Sequence, residues 1–256
     1  MRQRHQKIVE HMKRVSIVSY DELARLFNVS PFTIRRDVDY LDKAHLLVRI
    51  KGGAQKIESP AQFREAQIAN RMQINPAQKE LIADSAMQFI QPGDSIFLDG
   101  STTVGWLARN LAKHDPEITI VTNSVLISLE LAKAQNIRLI GLGGVFDPET
   151  YSFVGFDTDS HTDFFHINKA FFSCTGFIPE EGTFENAAFN GYIKRFAAKR
   201  ADSIFLLVDS SKLGKKALNR VLRTNQIDML ITDKALSEEA QAGLENNGVK
   251  TVIADK

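Results

Sequence analysis

Cysteine is all but absent from this chain of 256 residues: Cys174 stands alone, which excludes an intrachain disulfide framework and a thiolate metal cluster. Long apolar runs are missing as well, and none approaches the ~20 residues needed to cross a bilayer. The leading Met1-Arg-Gln-Arg-His-Gln-Lys7 is charged and lacks the ~7–15-residue apolar stretch of a signal peptide. A cytoplasmic protein with no membrane partner is therefore expected. Net charge is nearly nil, +1 from 32 basic and 31 acidic side chains. A hydrophobic content of 43% with 25% charged residues is that of a globular protein and excludes disorder or a collagen-like repeat. Because domains usually run to roughly 100–200 residues, the length fits two.

What is present is uneven. Residues 1–56 hold 12 basic and 6 acidic side chains, a charge of +6, and the remaining 200 hold 20 and 25, a charge of −5. A small basic head on an acidic body points to a polyanionic partner for the head alone; a merely solvated basic surface is the alternative.

The head, residues 1–56, reads as a winged helix-turn-helix. Ile8, Met12 and Val15 recur at helical spacing, and Asp21 is placed to open a short second helix through Leu23, Ala24 and Phe27. Asn28-Val29 breaks it. Ser30-Pro31 then restarts a helix in the order of N-cap followed by proline. Ile34, Val38 and Leu41 fall at i, i+4 and i+7 and define its buried stripe, which leaves Ser30, Thr33, Arg35, Arg36 and Tyr40 off the core. Leu46 to Ala54 reads as a strand, a glycine turn and a return, a wing that carries Arg49 and Lys51. Two short helices joined by a tight turn can set the second in the major groove, its N-terminal residues against base edges. Arginine forks onto guanine O6 and N7, while Ser, Thr and Lys hold phosphates. The bland alternative pairs Arg35 and Arg36 with Asp37 or Asp39. Cap, basic helix face and basic wing at this spacing favour a double-stranded DNA operator as partner.

Glu22-Leu-Ala-Arg-Leu-Phe-Asn-Val-Ser30, Thr33-Ile-Arg-Arg-Asp37, Leu41, Arg49 and Gly52-Gly53-Ala54 resemble the signature of the DeoR family of bacterial transcriptional regulators. The family usually has glycine in the turn before the wing, where this chain has Ala44-His45. Histidine tolerates a positive φ there better than most residues.

Residues 57–75 read as a polar linker, punctuated by Ser59-Pro60 and Asn75-Pro76, with Phe63, Ile68 and Met72 at weak helical spacing. In residues 76–256 a helix is expected over Lys79–Ile90, closed by Pro92-Gly93. Short apolar runs follow at Ser95–Leu98, Thr119–Val121, Arg138–Leu142, Lys169–Ser173, Ser203–Val208, Met229–Ile231 and Lys250–Ile253. Helical patterns lie between them at Val104–Lys113, Ser124–Ala134, Ala187–Ala201 and Ser237–Asn246. This alternation predicts an α/β domain with a mainly parallel sheet covered on both faces. The strands end in small polar residues: Asp99-Gly100-Ser101-Thr102-Thr103, Thr122-Asn123-Ser124, Gly143-Gly144, Thr175-Gly176 and Asp209-Ser210-Ser211-Lys212. In a parallel sheet all of these share the carboxyl edge, where ligand crevices form. Gly100 to Thr103 precedes a helix and suits an anion, to which Lys212 can add a compact positive charge. A triphosphate loop is excluded by the missing G-x-x-x-x-G-K-[ST], and Gly141-Leu-Gly143-Gly144 is an incomplete dinucleotide fingerprint. A small phosphorylated ligand fits best, against the alternative that these are ordinary turn residues.

The body also resembles the family's effector domain, so the resemblance spans essentially the whole chain. It implies a fold similar to ribose-phosphate isomerases and a phosphorylated sugar as effector. Asp99 to Thr103 corresponds to the family's phosphate loop with Gly100-Ser101 in place of a small residue and glycine; Thr122-Asn-Ser124, Gly143-Gly144 and Asp209 to Gly214 match unchanged. Arg71, replacing a lysine, and Lys79 stand where basic effector-contacting residues occur. Phe172 to Phe177 with Gly182 to Asn186 is similar to members associated with deoxyhexose phosphates such as those of fucose and rhamnose, a pattern shared with sugar-acid regulators. Glu185 and Asn186 suit sugar hydroxyls, or a surface loop.

Cys174, with no base beside it, reads as a buried thiol rather than a nucleophile. His161, Asp163 and His166 do not have zinc spacing, so no metal and no cofactor are expected. Trp106 and the phenylalanines read as core and interface. The expected function is a regulator, a repressor of a carbohydrate catabolic operon, in which effector shifts the spacing of paired heads; a homo-oligomer, dimer or tetramer, follows. The alternative is a sugar-phosphate isomerase-like enzyme with an accessory head. That enzyme needs a base, and Asp99 and Asp209, the carboxylates on the edge, lie inside phosphate-type loops.

Overall fold

The computed structural model describes residues 3–44, 46–57, 68, 70–155 and 165–255. His45, Ser59-Pro60, Phe63, His161 and Asp163 lie outside them. Contacts divide the chain into two units, 1–74 and 75–256.

The first unit follows its caps. Helix α1 (Gln3–Met12) leads into strand β1 (Ile17–Ser19) and helix α2 (Tyr20–Phe27). Helix α2 begins one residue before the expected Asp21, because Ser19 and Glu22 form a reciprocal capping box. The Ser19 hydroxyl accepts from the Glu22 N–H at 3.2 Å, and the Glu22 carboxylate accepts from the Ser19 N–H at 2.8 Å. Asn28 ends the helix at φ 50°, and Ser30 caps α3 (Pro31–Lys43) by accepting from the Thr33 N–H. Ile34, Val38 and Leu41 are fully buried with Ile8, Leu23 and Leu47. The wing is β2 (Val48–Ile50) and β3 (Gly53–Gln55), and β1 joins them in an antiparallel sheet of order β1-β3-β2. Three-residue β1 carries no readable period in the sequence. Its approach is so close that a Cβ on Gly53 would meet the Val18 carbonyl oxygen at 2.1 Å.

The second unit is built on seven strands, all parallel: β4 (Ser95–Leu98), β5 (Thr119–Thr122), β6 (Arg138–Gly141), β9 (Ile167–Phe172), β12 (Ala201–Leu207), β14 (Met229–Thr232) and β15 (Lys250–Ile253). Their order is β15-β14-β12-β9-β4-β5-β6. Helices α4 (Pro76–Met87), α5 (Thr102–His114) and α6 (Val125–Leu131) cover one face through Ile82, Leu107 and Ile127. Helices α7 (Ala188–Ala198) and α8 (Glu238–Asn246) cover the other through Ile193, Phe196 and Leu244. Burial on both faces is why the strands read as continuous apolar runs. Helix α4 starts three residues before the expected Lys79 because Pro76 fits its first position. Helix α7 stops at Ala198, and Ala201 belongs to β12 instead.

Two small antiparallel sheets escaped the sequence pattern. The hairpin β7 (Val145–Asp147) and β8 (Ser152–Val154) follows β6; β10 (Gly176–Ile178), β11 (Gly182–Glu185) and β13 (Asn219–Arg220) follow the ends of β9 and β12. From β4 the sheet grows outward through β5 and β6, and from its neighbour β9 it grows the other way. The carboxyl ends of β4 and β9 therefore flank the point where strand order reverses, the preferred place for a ligand in such sheets. Among the described residues no helix is long and apolar enough to cross a membrane.

Candidate functional site

In the N-terminal unit the exposed face of α3 and the wing turn carry the expected residues. The Ser30 and Thr33 hydroxyls lie 2.9 Å apart and satisfy each other at the helix start. Arg35 is exposed with its guanidinium 5.6 Å over the Tyr20 ring. Arg36 is exposed, as is Lys51 at the wing turn. The acids once open to Arg35 and Arg36 have other partners, so that alternative fails. Buried Asp37 accepts from Arg4 and lies 2.9 Å from His5 Nε2. Burial works against the Asp37 charge, but hydrogen bonds to Arg4 and His5 outweigh it and hold the carboxyl below its usual range. Asp39 accepts from Arg49. Arg49 is thereby tied to α3 and half-buried. Burial would lower its pKa, yet Tyr20 and Asp39 raise it. Tyr40 is half-exposed and stacked on His5, centroids 4.6 Å apart.

In the C-terminal unit a polar cluster sits at the switch between β4 and β9. Asp99 follows β4; one oxygen accepts from the Ser101 N–H at 2.9 Å, the other from the Ser173 N–H at 3.1 Å. Ser101 caps α5. Gly100 is needed because a Cβ there would lie 2.5 Å from Ser152 Oγ on β8. The N–H groups of Thr102 and Thr103, in the first turn of α5, have no acceptor within the helix. Lys212, from the loop after β12, crosses to this point: its Nζ is 2.9 Å from Ser173 Oγ, 3.4 Å from Thr103 Oγ1 and 3.7 Å from Asp209 Oδ2. Asp209 accepts from Asn75 Nδ2 at 3.1 Å and from the Ser211 hydroxyl. Burial opposes its charge, but the Ser211 hydroxyl, Lys212 and Asn75 hold the carboxyl below its usual range. Asn75 sits at φ 49° and turns its side chain to Asp209 instead of capping α4. That brings the α4 start to the carboxyl edge, with buried Lys79 one turn along.

Other expected residues hold the scaffold. Thr122 Oγ1 donates to the Leu98 carbonyl at 2.7 Å, Ser124 caps α6, and Asn123 Nδ2 donates to the Phe153 carbonyl at 2.9 Å, so this loop anchors the β7–β8 hairpin. Asn123 Oδ1 is buried and has no partner among the described residues. Gly143 and Gly144 lead into the hairpin, where a Cβ on Gly144, at φ 145°, would meet the Val154 and Gly155 carbonyl oxygens. Arg71 is exposed and belongs to the first unit.

Glu185 is neither exposed nor in a surface loop. It is buried, accepting from Thr175 Oγ1 at 2.7 Å and from Lys194 Nζ. Asn186 is exposed. Lys194 on α7, 5% exposed, also lies 3.0 Å from Asp99 and donates to the Ser173 carbonyl at 2.6 Å. Burial would lower its pKa, but Asp99 and Glu185 raise it above the usual lysine value. Sequence reasoning missed Ser173 and Lys194. A lysine one turn before Ala197, within the apolar stripe of α7, was the available signal for the latter. Burial pushes the Cys174 thiol up to about 12, far from a nucleophile. Trp106 packs partly buried against the core. His166 lies 3.0 Å from Asp202, and no metal-holding cluster of His, Cys, Asp or Glu occurs among the described residues.

The cluster thus offers backbone N–H groups, hydroxyls and the Lys212 ammonium, with Lys194 and the carboxylates engaged with one another. It can receive an anion.

A family model for the DeoR C-terminal sensor domain matches residues 74–234, and one for the DeoR-like helix-turn-helix domain matches residues 4–60. The uncharacterized HTH-type transcriptional regulator YulB of Bacillus subtilis is 35% identical over 251 residues, covering 97% of this chain and 95% of that protein. A putative aga operon transcriptional repressor of Escherichia coli O157:H7 is 28% identical, covering 98% of this chain and 93% of that protein. Ribose 5 phosphate isomerase A from Neisseria gonorrhoeae superposes with a TM-score of 0.41 at 14% identity, over 53% of this chain and 52% of the other.

Proposed function

Because the chain belongs to the DeoR family of transcriptional regulators, we propose that it acts as the repressor of a carbohydrate catabolic operon, with operator binding through α3 and the wing modulated by a phosphorylated sugar at the carboxyl edge of the sheet. One observation carries the effector site: Lys212 Nζ, Ser173 Oγ and Thr103 Oγ1 converge beside the start of α5, at the strand-order reversal. The phosphate takes the Thr102 and Thr103 N–H groups and Lys212, and Asn123 Oδ1 and Lys79 serve the sugar. The carbohydrate operon is supported by the aga operon repressor among the relatives. The sensor begins at Asn75, since its side chain bonds Asp209 and Ser211; the DNA head is 1–56 and the linker ends at 74. Operator binding implies a cytoplasmic protein, and paired half-sites imply a homo-oligomer.

An isomerase function is disfavoured by the same geometry. Asp99 is committed to Lys194 and two N–H groups, and Asp209 is held ionised by Ser211, Lys212 and Asn75. Asp99 is thus occupied by its own partners, and Asp209 is held below, not raised toward, neutrality.

The test is a thermal-shift titration with phosphorylated and unphosphorylated sugars on wild type and Lys212→Ala. At a hundred times its dissociation constant the effector stabilises wild type by about 2.7 kcal/mol. Lys212→Ala loses that shift while still binding operator. A normal effector response from Lys212→Ala, or steady isomerase turnover by wild type, overturns the proposal.

A further inference from the structure

The tip of α3 holds one side chain that no capping bond or core contact explains. Phe32 is 70% exposed and is not part of the head's core. At about 100° per residue it points opposite Ile34, Val38 and Leu41 and stands between Arg35 and Arg36. The polar groups around it are largely spent within the protein. Ser30 and Thr33 satisfy each other, Arg35 lies over Tyr20, and Arg49 belongs to Asp39. That presents Phe32 outward, with exposed Arg35 and Arg36 on either side, from the first two turns of a helix whose N-terminal residues meet base edges.

We propose that Phe32 is a specificity-determining residue of the DNA head, whose ring packs on a thymine C5-methyl group in the major groove. The occupant follows from charge and position. Phe32 is flanked by two arginines in a segment of charge +6, so the phosphate backbone draws this face of α3 into the groove. Inside the groove, the thymine methyl is the apolar feature that a ring can cover. Arg36 then supplies a charged contact beside it, and the pair reads thymine next to a phosphate or guanine. The inference rests on DNA binding by this head.

The experiment first selects preferred duplexes from a randomised library with full-length wild type, then replaces each thymine of the selected site by deoxyuridine, which lacks only the methyl. One position per half-site should weaken wild type about fourfold, equivalent to about 0.8 kcal/mol for one buried methyl. Phe32→Ala should lose at least that affinity on the thymine duplex and become indifferent to deoxyuridine there. Its unfolding curve should match wild type, since the ring is solvent-exposed. If Phe32→Ala keeps the wild-type affinity, thymine preference and selected consensus, the proposal falls. If Phe32→Ala instead shifts the sedimentation profile and leaves thymine discrimination intact, the ring contacts a second copy and the proposal also falls. If wild type enriches no sequence at all, it is DNA recognition by the head that fails.

Discussion

Replacing Lys194 by methionine should destabilise the sensor strongly. The side chain is 5% exposed and its ammonium is shared by Asp99, Glu185 and the Ser173 carbonyl. Methionine keeps the apolar stem but leaves two buried carboxylates facing each other. Removing one partner of such a buried ion group costs about 3–5 kcal/mol. For a unit of this size, each kcal/mol shifts Tm by roughly 2–4 °C, so a fall of roughly 6–20 °C is expected. Denaturant unfolding followed by fluorescence of Trp106, the single tryptophan, reports on the sensor directly. Adding Glu185→Gln should recover part of the loss, because the two sites are coupled. A deficit below about 1 kcal/mol, or no recovery on adding Glu185→Gln, would refute the reasoning.

Arg36→Ala should weaken operator binding by roughly 5- to 150-fold, the range for one arginine contact, with an unchanged unfolding curve; equal affinity in a gel-shift titration would remove Arg36 from the DNA face. Asp37→Asn should destabilise the head by about 1–3 kcal/mol at pH 7, since Arg4 and His5 lose their buried acceptor charge. Because the folded Asp37 pKa is depressed, its contribution is present above the unfolded value of about 3.9 and lost as pH falls through and below it. Amide hydrogen exchange in α1 and α3 checks both: faster exchange at pH 7, and a smaller acid-induced increase, in the variant than in wild type.

Much of the fold was legible because its signals are local. Ser30-Pro31, Asn28 and the Ile34, Val38, Leu41 stripe act within one or two helical turns, and they appear as cap, break and buried face. The seven apolar runs are buried on both sides, so each reads as a strand without reference to its neighbours. The ends were harder: α2 starts at Tyr20 because a capping box outranked an acidic first residue. Strands of two or three residues, such as β1, β8 and β13, are too short to show a period and form only because a partner lies alongside.

The site divides the same way. Sequence alone determined that polar loops end the strands, that Gly100 to Thr103 opens a helix, and that a basic face lies opposite the core of α3. Those facts depend on residue order within a segment. Tertiary structure alone decided which loops meet. It drew Lys212 to Thr103 and Ser173, gave Asp99 and Glu185 a shared Lys194, paired Arg49 with Asp39, and left Phe32 uncovered. A buried charge must find its counter-charge wherever sheet closure brings one, and that partner is set by strand order rather than by spacing along the chain.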